Sequence, residues 1–177
     1  VLTTGKKHTV DQKHNGTKTI YADLIDFQNP ENNRLHAIDE FAVSRRGSIR
    51  PDVTLLVNGI PIVQMELKSV AHDNDFYDAI NDLQEYEEKV PRAFIPTLFN
   101  VAADTQELRY GAVGATHEFY QGWTTAPEQY QSDNDMKQAV QALLNPKTLL
   151  DLLKYFVFYE EQPDQDAKII PRHMQYY

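Results

Sequence analysis

Asp52, Glu66 and Lys68 stand on either side of Asn58-Gly59, a strong hairpin-turn signal. A hard divalent cation takes oxygen ligands, and Asp and Glu are the usual source. Phosphodiester hydrolysis needs an activated water and relief of the extra negative charge on phosphorus; a metal ion and an ammonium together meet both needs. Residues two apart on a strand share a face, so Glu66 and Lys68 are expected to point the same way. Leu67 would then point into the core, leaving its carbonyl as a further ligand. The expected metal ligands are Asp52, Glu66 and the Leu67 carbonyl, and the expected catalytic set is Asp52, Glu66 and Lys68.

The turn decides whether Asp52 joins this group. A tight two-residue turn sets Asp52 opposite Met65, on the wrong face; one extra residue returns it to the face of Glu66. A three-residue or bulged turn with Gly59 left-handed is therefore predicted. The bare acid-x-Lys pattern carries little weight, since it recurs at Asp11–Lys13, Glu87–Lys89, Asp135–Lys137 and Asp166–Lys168. Only Glu66–Lys68 closes an apolar strand that follows a partner opened by Pro51-Asp52.

The elements that must hold these residues read as an α/β arrangement. Val53–Val57 and Ile60–Met65 flank the turn, apolar on both faces, so both belong in the interior of a sheet. Pro61 cannot donate to a ladder and is tolerable only beside the turn. Residues 1–18 read as a loop or exposed hairpin, and Ile20–Phe27 and Leu35–Val43 as strands. A helix capped by Asp73 or Asp75 runs to about Val90, with Ile80 and Leu83 at helical spacing, and Pro91 ends it. Strands are expected at 97–102 and 107–113, then helices at Met136–Leu144 and Thr148–Phe158, then a polar linker at Glu160–Asp166. Trp123 reads as packing.

Composition narrows the function. Seventeen Lys and Arg against 26 Asp and Glu leave a formal charge of −9. Affinity for nucleic acid rests on neutralising phosphates, so so acidic a chain needs its DNA delivered by something else. The absence of cysteine excludes disulfides, thiolate zinc sites and cysteine nucleophiles. No apolar run approaches the roughly 20 residues that span a bilayer. The start at Val1 and the end at Tyr177 read as the bounds of a piece of something longer.

The run from Arg50 to Val63, continuing to Glu66-Leu67-Lys68, resembles the nuclease segment in the R subunit of type I restriction enzymes. The likeness extends to Leu24–Phe27 with Asn29–Asn33, to Asp78–Asn81, to Glu118–Trp123, and to Leu149–Phe156 with His173–Tyr177. It implies a PD-(D/E)xK nuclease: a restriction-endonuclease-like core, with a mixed central sheet flanked by helices and a helical C-terminal extension. Residues 1–125 would form the endonuclease domain, and 126–177 a linker to a translocase motor. The resemblance further implies Mg2+, double-stranded DNA, methyltransferase and specificity subunits as partners, and a bacterial or archaeal cytoplasm. ATP and S-adenosylmethionine would serve the full complex; the chain has no G-x-x-x-x-G-K-[ST] loop of its own. By the same likeness Asp52 and Glu66 bind metal and Lys68 positions or activates water. Family members carry Q-x-x-x-Y on the following helix. Here Tyr86 fits, Asp82 stands at the Gln position, and Gln84 lies two residues on.

Plainer readings stand beside these. Tyr86 on an apolar helix face serves equally as core. Arg50 and Arg46 make either a phosphate-contacting loop or a solvated one. Glu40 reads as an exposed acid, and the six histidines show no metal-ligand spacing. Two rivals remain open from the residues alone: a repair or recombination nuclease, and a docking module that kept the fold without the chemistry.

Overall fold

The computed structural model describes residues 6–12, 16–44, 47–69, 75–105, 107–123, 136–160 and 167–177. In chain order the strands are β1 (Lys6–Gln12), β2 (Gly16–Ala22), β3 (Leu35–Asp39), β4 (Val43–Ser44), β5 (Ser48–Ile49), β6 (Val53–Val57) and β7 (Ile60–Leu67). The helix α1 (Asp75–Lys89) precedes β8 (Phe99–Ala103), β9 (Leu108–Gly111) and β10 (Gln121–Gly122). Then come α2 (Met136–Leu143), α3 (Pro146–Tyr155), β11 (Phe158–Glu160), β12 (Ala167–Ile169) and the short α4 (His173–Tyr176).

Six strands form the central sheet in the order β10-β9-β8-β7-β6-β3. Only β7 and β8 run parallel, because α1 carries the chain back across the sheet between them. The sheet is therefore mixed, with β6 and β7 in its interior as their two-sided apolarity predicts. On one face α1 buries Ala79, Ile80 and Leu83 against Ala102 and Tyr120. On the other, Leu143 of α2 and Leu149, Leu150, Leu152 and Leu153 of α3 share a core with Val63, Met65, Val101, Leu108 and Tyr110. This is the expected α/β architecture, consistent with a restriction-endonuclease-like core. Among the described residues, no helix is long and apolar enough to cross a membrane.

The hairpin departs from expectation in an instructive way. Val57 pairs with Ile60 and Leu56 with Pro61, so the turn itself is a tight two-residue one. Asn58 and Gly59 both take left-handed backbone, φ 52 and 81, as such a turn demands. Asn58 is held there by its side chain, which accepts from the Arg34 amide and donates to Leu24 and Asn33, each at 2.8 Å. The extra residue sits further on: Leu55 pairs with Val63, leaving Ile62 unmatched as a bulge. Pro61 offers no amide to the ladder, so the pairing is weakest beside it and gives way there rather than at the turn. As a result the consecutive Ile62 and Val63 both enter the same core.

Other boundaries shift for local reasons. The strand expected over Ile20–Phe27 stops at Ala22. The Asp26 carboxylate then accepts from the amides of Gln28 and Asn29 and from the Asn32 side chain, nucleating a turn. The strand from Leu35 ends at Asp39, followed by Glu40 at φ 48, and Val43–Ser44 pairs separately with Ser48–Ile49. The third helix begins at Pro146 rather than Thr148, because Asn145 caps it by accepting from the Thr148 amide at 2.9 Å. The N-terminal segment is a hairpin, β1 with β2. The expected polar linker at Glu160–Asp166 lies between two strands that pair with each other, β11 and β12; residues 161–166, like Asp73, fall outside the described residues.

Candidate active site

Past the bulge, Val53 pairs with Met65, and one residue further that register sets Asp52 opposite Glu66. The side of the sheet they share is the one α1 covers. Asp52 sits at the start of β6, and its Oδ2 accepts from the Leu67 amide at 2.8 Å. Glu66 is only 5% exposed. Its Oε1 accepts from Lys68 Nζ at 3.3 Å, while its Oε2 is buried without a hydrogen-bond partner. The Lys68 ammonium reaches a second carboxylate, that of Asp82 on α1. Tyr86, one helical turn beyond Asp82, is half-buried and senses the charges of Glu66, Asp82 and Asp52.

Not every expected residue joins the group. Gln84 donates to the Ala115 carbonyl at 3.0 Å, tying down the segment after β9. Arg50 is largely exposed and lies 3.5 Å from Glu40, which is equally exposed. Arg46 falls outside the described residues. Leu67 does not enter the core as expected; it is 38% exposed, because β7 ends there, beyond the cluster that α2 and α3 cover. Sequence reasoning marked Asp82 as a departure and assigned it no role, and the structure places it on Lys68. The signal was present in its helical spacing from Tyr86, which puts both on one face.

The electrostatics follow from this packing. Burial, and then the charge of Asp52, raise the Glu66 carboxyl above its ordinary range. Burial pulls the Lys68 ammonium down, but its hydrogen bond to Asp82 and the charge of Glu66 outweigh that and hold it above its usual value. Tyr86 is raised by burial first and by the Glu66 charge second. Negative charge is thus gathered around a buried oxygen that lacks a partner, which is costly unless a proton or a cation compensates. Among the described residues, no three His, Asp or Glu side chains lie at metal-binding spacing. The donors brought together are the two carboxylates of Asp52 and Glu66, a sparse set of the kind that suits a cation such as Mg2+, which keeps much of its own water.

A second polar cluster lies on the same helix. Glu87 accepts from the Gly114 amide at 2.8 Å and from the Asn100 side chain. Burial pushes its carboxyl up to about 7, against the lowering effect of those bonds and of Lys168. The folded chain therefore favours the protonated form. Stability contributed by Glu87 is full below 4.5 and is lost as pH rises through about 7. Lys168, pushed down by burial to about 8, titrates above that window. Thermal melts across it should show a decline in the native chain that Glu87→Gln flattens; an unchanged slope in the variant would exclude Glu87 as its source.

The family model for the type I restriction enzyme R protein N terminus matches residues 1–119. The chain belongs to this family. Among relatives, it is 29% identical to the type I restriction enzyme HindI endonuclease subunit of Haemophilus influenzae, over 95% of this chain and 17% of that protein. It is 30% identical to the putative MjaVIIIP endonuclease subunit of Methanocaldococcus jannaschii, over 96% of this chain and 16% of the relative. A Staphylococcus aureus endonuclease subunit, SauCOLORF180P, is 24% identical over 80% of the chain. The chain thus spans about a sixth of the length of these endonuclease-subunit relatives. Asp52, Glu66, Lys68, Asp82 and Tyr86 all lie inside the segment matched by the R-protein N-terminal model.

Proposed function

We propose that this chain is the Mg2+-dependent endonuclease module of a type I restriction R protein, hydrolysing phosphodiester bonds of double-stranded DNA. The observation that carries the reading is the Glu66 carboxylate opposite Asp52, whose Oε2 is buried without a partner while its Oε1 accepts from the Lys68 ammonium. Asp52, Glu66 and the Leu67 carbonyl would hold the divalent ion. When bound, that ion supplies Lewis acidity toward the phosphoryl oxygens and lowers the pKa of coordinated water. Lys68 contributes a fixed positive charge that orients the attacking water and offsets negative charge growing on phosphorus. Arg50, exposed and close in sequence to Asp52, carries a guanidinium of the kind that matches a phosphate, while Tyr86 packs against the cluster of Ile49, Val90 and Phe94.

The charge of −9 bears on how substrate reaches the site. A module this acidic repels DNA at a distance, so the duplex is brought to it by the rest of the enzyme. That fits relatives named as subunits and about six times longer than the matched segment. In this reading residues 1–125 carry the nuclease and 126–177 lead toward a motor that consumes ATP. The methyltransferase and specificity subunits supply S-adenosylmethionine chemistry and site choice.

The test uses the complete R protein containing this chain, assembled with its partner subunits and ATP on supercoiled plasmid. Linear or nicked product should appear with Mg2+, vanish on chelation and return on Mg2+ addition. To separate the nuclease from a Mg2+-dependent motor, ATP consumption is followed in parallel. An assembly that consumes ATP normally in the presence of Mg2+ but never cuts would overturn the proposal.

A further inference from the structure

The Lys68 ammonium is gripped from two sides, by Glu66 Oε1 at 3.3 Å and by the Asp82 carboxylate of α1. These two acids are not equivalent. Glu66 is buried and stands opposite the half-buried Asp52, whereas the Asp82 side chain is 37% exposed and comes from a different element. A divalent cation at Asp52 and Glu66 would draw on the same Glu66 charge that holds Lys68, and two neighbouring cations repel. With Glu66 alone, metal and ammonium would compete for one carboxylate. A second anion, anchored elsewhere, removes that competition.

We infer that Asp82 is the positioning residue for Lys68: it holds the ammonium at the edge of the site and frees Glu66 for a divalent cation. The inference rests on the metal-binding reading of Asp52 and Glu66. The anchor is well placed for the task. Ala79, Ile80 and Leu83 seat α1 on the sheet with no exposed surface, so Asp82 is presented from a fixed helix face next to β7. Lys68 follows β7 directly, and its amide is bonded to the Ala103 carbonyl at 2.9 Å, which fixes the root of the side chain. Both ends of the contact are thus set by the backbone.

The test is a double-mutant cycle read by calorimetric titration of Mn2+ into the full chain, with no DNA and no turnover. Asp82→Asn should weaken Mn2+ binding by about tenfold, because Lys68 then falls back on Glu66. Asp82→Glu, which keeps the charge, should stay within about threefold of the unaltered chain. In a Lys68→Ala background, Asp82→Asn should change affinity by less than about twofold, since no ammonium remains to be held. An equal loss in both backgrounds would mean that Asp82 acts on the metal directly and would overturn the inference while sparing the metal site. Unchanged binding in Asp82→Asn would overturn it too. Absence of Mn2+ binding by the unaltered chain would overturn the metal reading and this inference together.

Discussion

On the proposed nuclease reading, Glu66→Gln is expected to lower DNA cleavage by the assembled enzyme roughly 10³-fold or more while leaving this chain at least as stable as before. The two effects have one origin. The Glu66 side chain is buried, one of its oxygens has no partner, and Asp52 adds a second negative charge nearby. Without a bound cation, ionisation there opposes folding. With the carboxyl raised, stability is full below its ordinary range and falls as pH rises through the shifted value. Glutamine keeps the shape and the acceptor for Lys68 but removes the charge. The variant should therefore melt no lower than the unaltered chain at neutral pH, and higher if the buried charge opposes folding. Melting in a metal-free buffer measures the second effect and plasmid cutting the first. Lys68→Ala should likewise abolish cutting. Retained Mg2+-dependent cleavage by either variant would sink the assignment of the site.

Trp123→Ala should be the most destabilising single substitution considered for this chain. The indole is 1% exposed, with the rings of Tyr110 and Tyr176 each 5.4 Å away and that of Tyr177 at 6.2 Å. Removing a buried indole costs about 3–5 kcal/mol, out of a total that for most domains is about 5–15 kcal/mol. The buried Nε1 has no partner, so its loss returns only a fraction of that. The stack also ties distant parts of the chain together. Tyr110 donates to the Pro171 carbonyl at 2.8 Å, and Tyr176 to Asp151 at 3.2 Å. Urea denaturation should show the midpoint falling sharply, and limited proteolysis should cut first near residues 167–177. A loss below about 1 kcal/mol would refute the packing role of this ring.

Much of the fold could be read from local patterns. The Asn58-Gly59 turn between two apolar runs and the spacing of Ile80 and Leu83 are short-range signals, and both elements formed where expected. The position of the bulge was not legible in the same way. It depends on two demands meeting, the left-handed backbone that Asn58 and Gly59 accept and the amide that Pro61 lacks, and the sequence states each without ranking them. Ile20–Phe27 misled because β-branched and aromatic residues favour a strand while Asp26, inside the run, favours a turn. The candidate site divides along the same line. Glu66 and Lys68 follow from alternation along one strand, and Asp52 joins their side only through the bulge at Ile62. Asp82 on Lys68 requires the crossover that lays α1 over β7. Gln84 fails to join because two residues along a helix turn a side chain by about 200°, and it meets Ala115 instead.

The unmatched Ile62 has a consequence that reaches past the hairpin. It is buried in the core that α2 and α3 cover, yet it sets the parity of the acids. Upstream and downstream of it the alternation of inside and outside runs out of step by one, and that offset allows a minimal turn and a common side for Asp52 and Glu66 to coexist. Deleting Ile62 itself would close the ladder without moving a partner, with Val63 still opposite Leu55 and Glu66 opposite Asp52. Deleting a neighbour while the bulge stayed would shift the pairing by one and exchange the two sides for half of the hairpin. The common side of the acids thus rests on the sum of turn and bulge, and the residue that completes that sum has a purely apolar side chain.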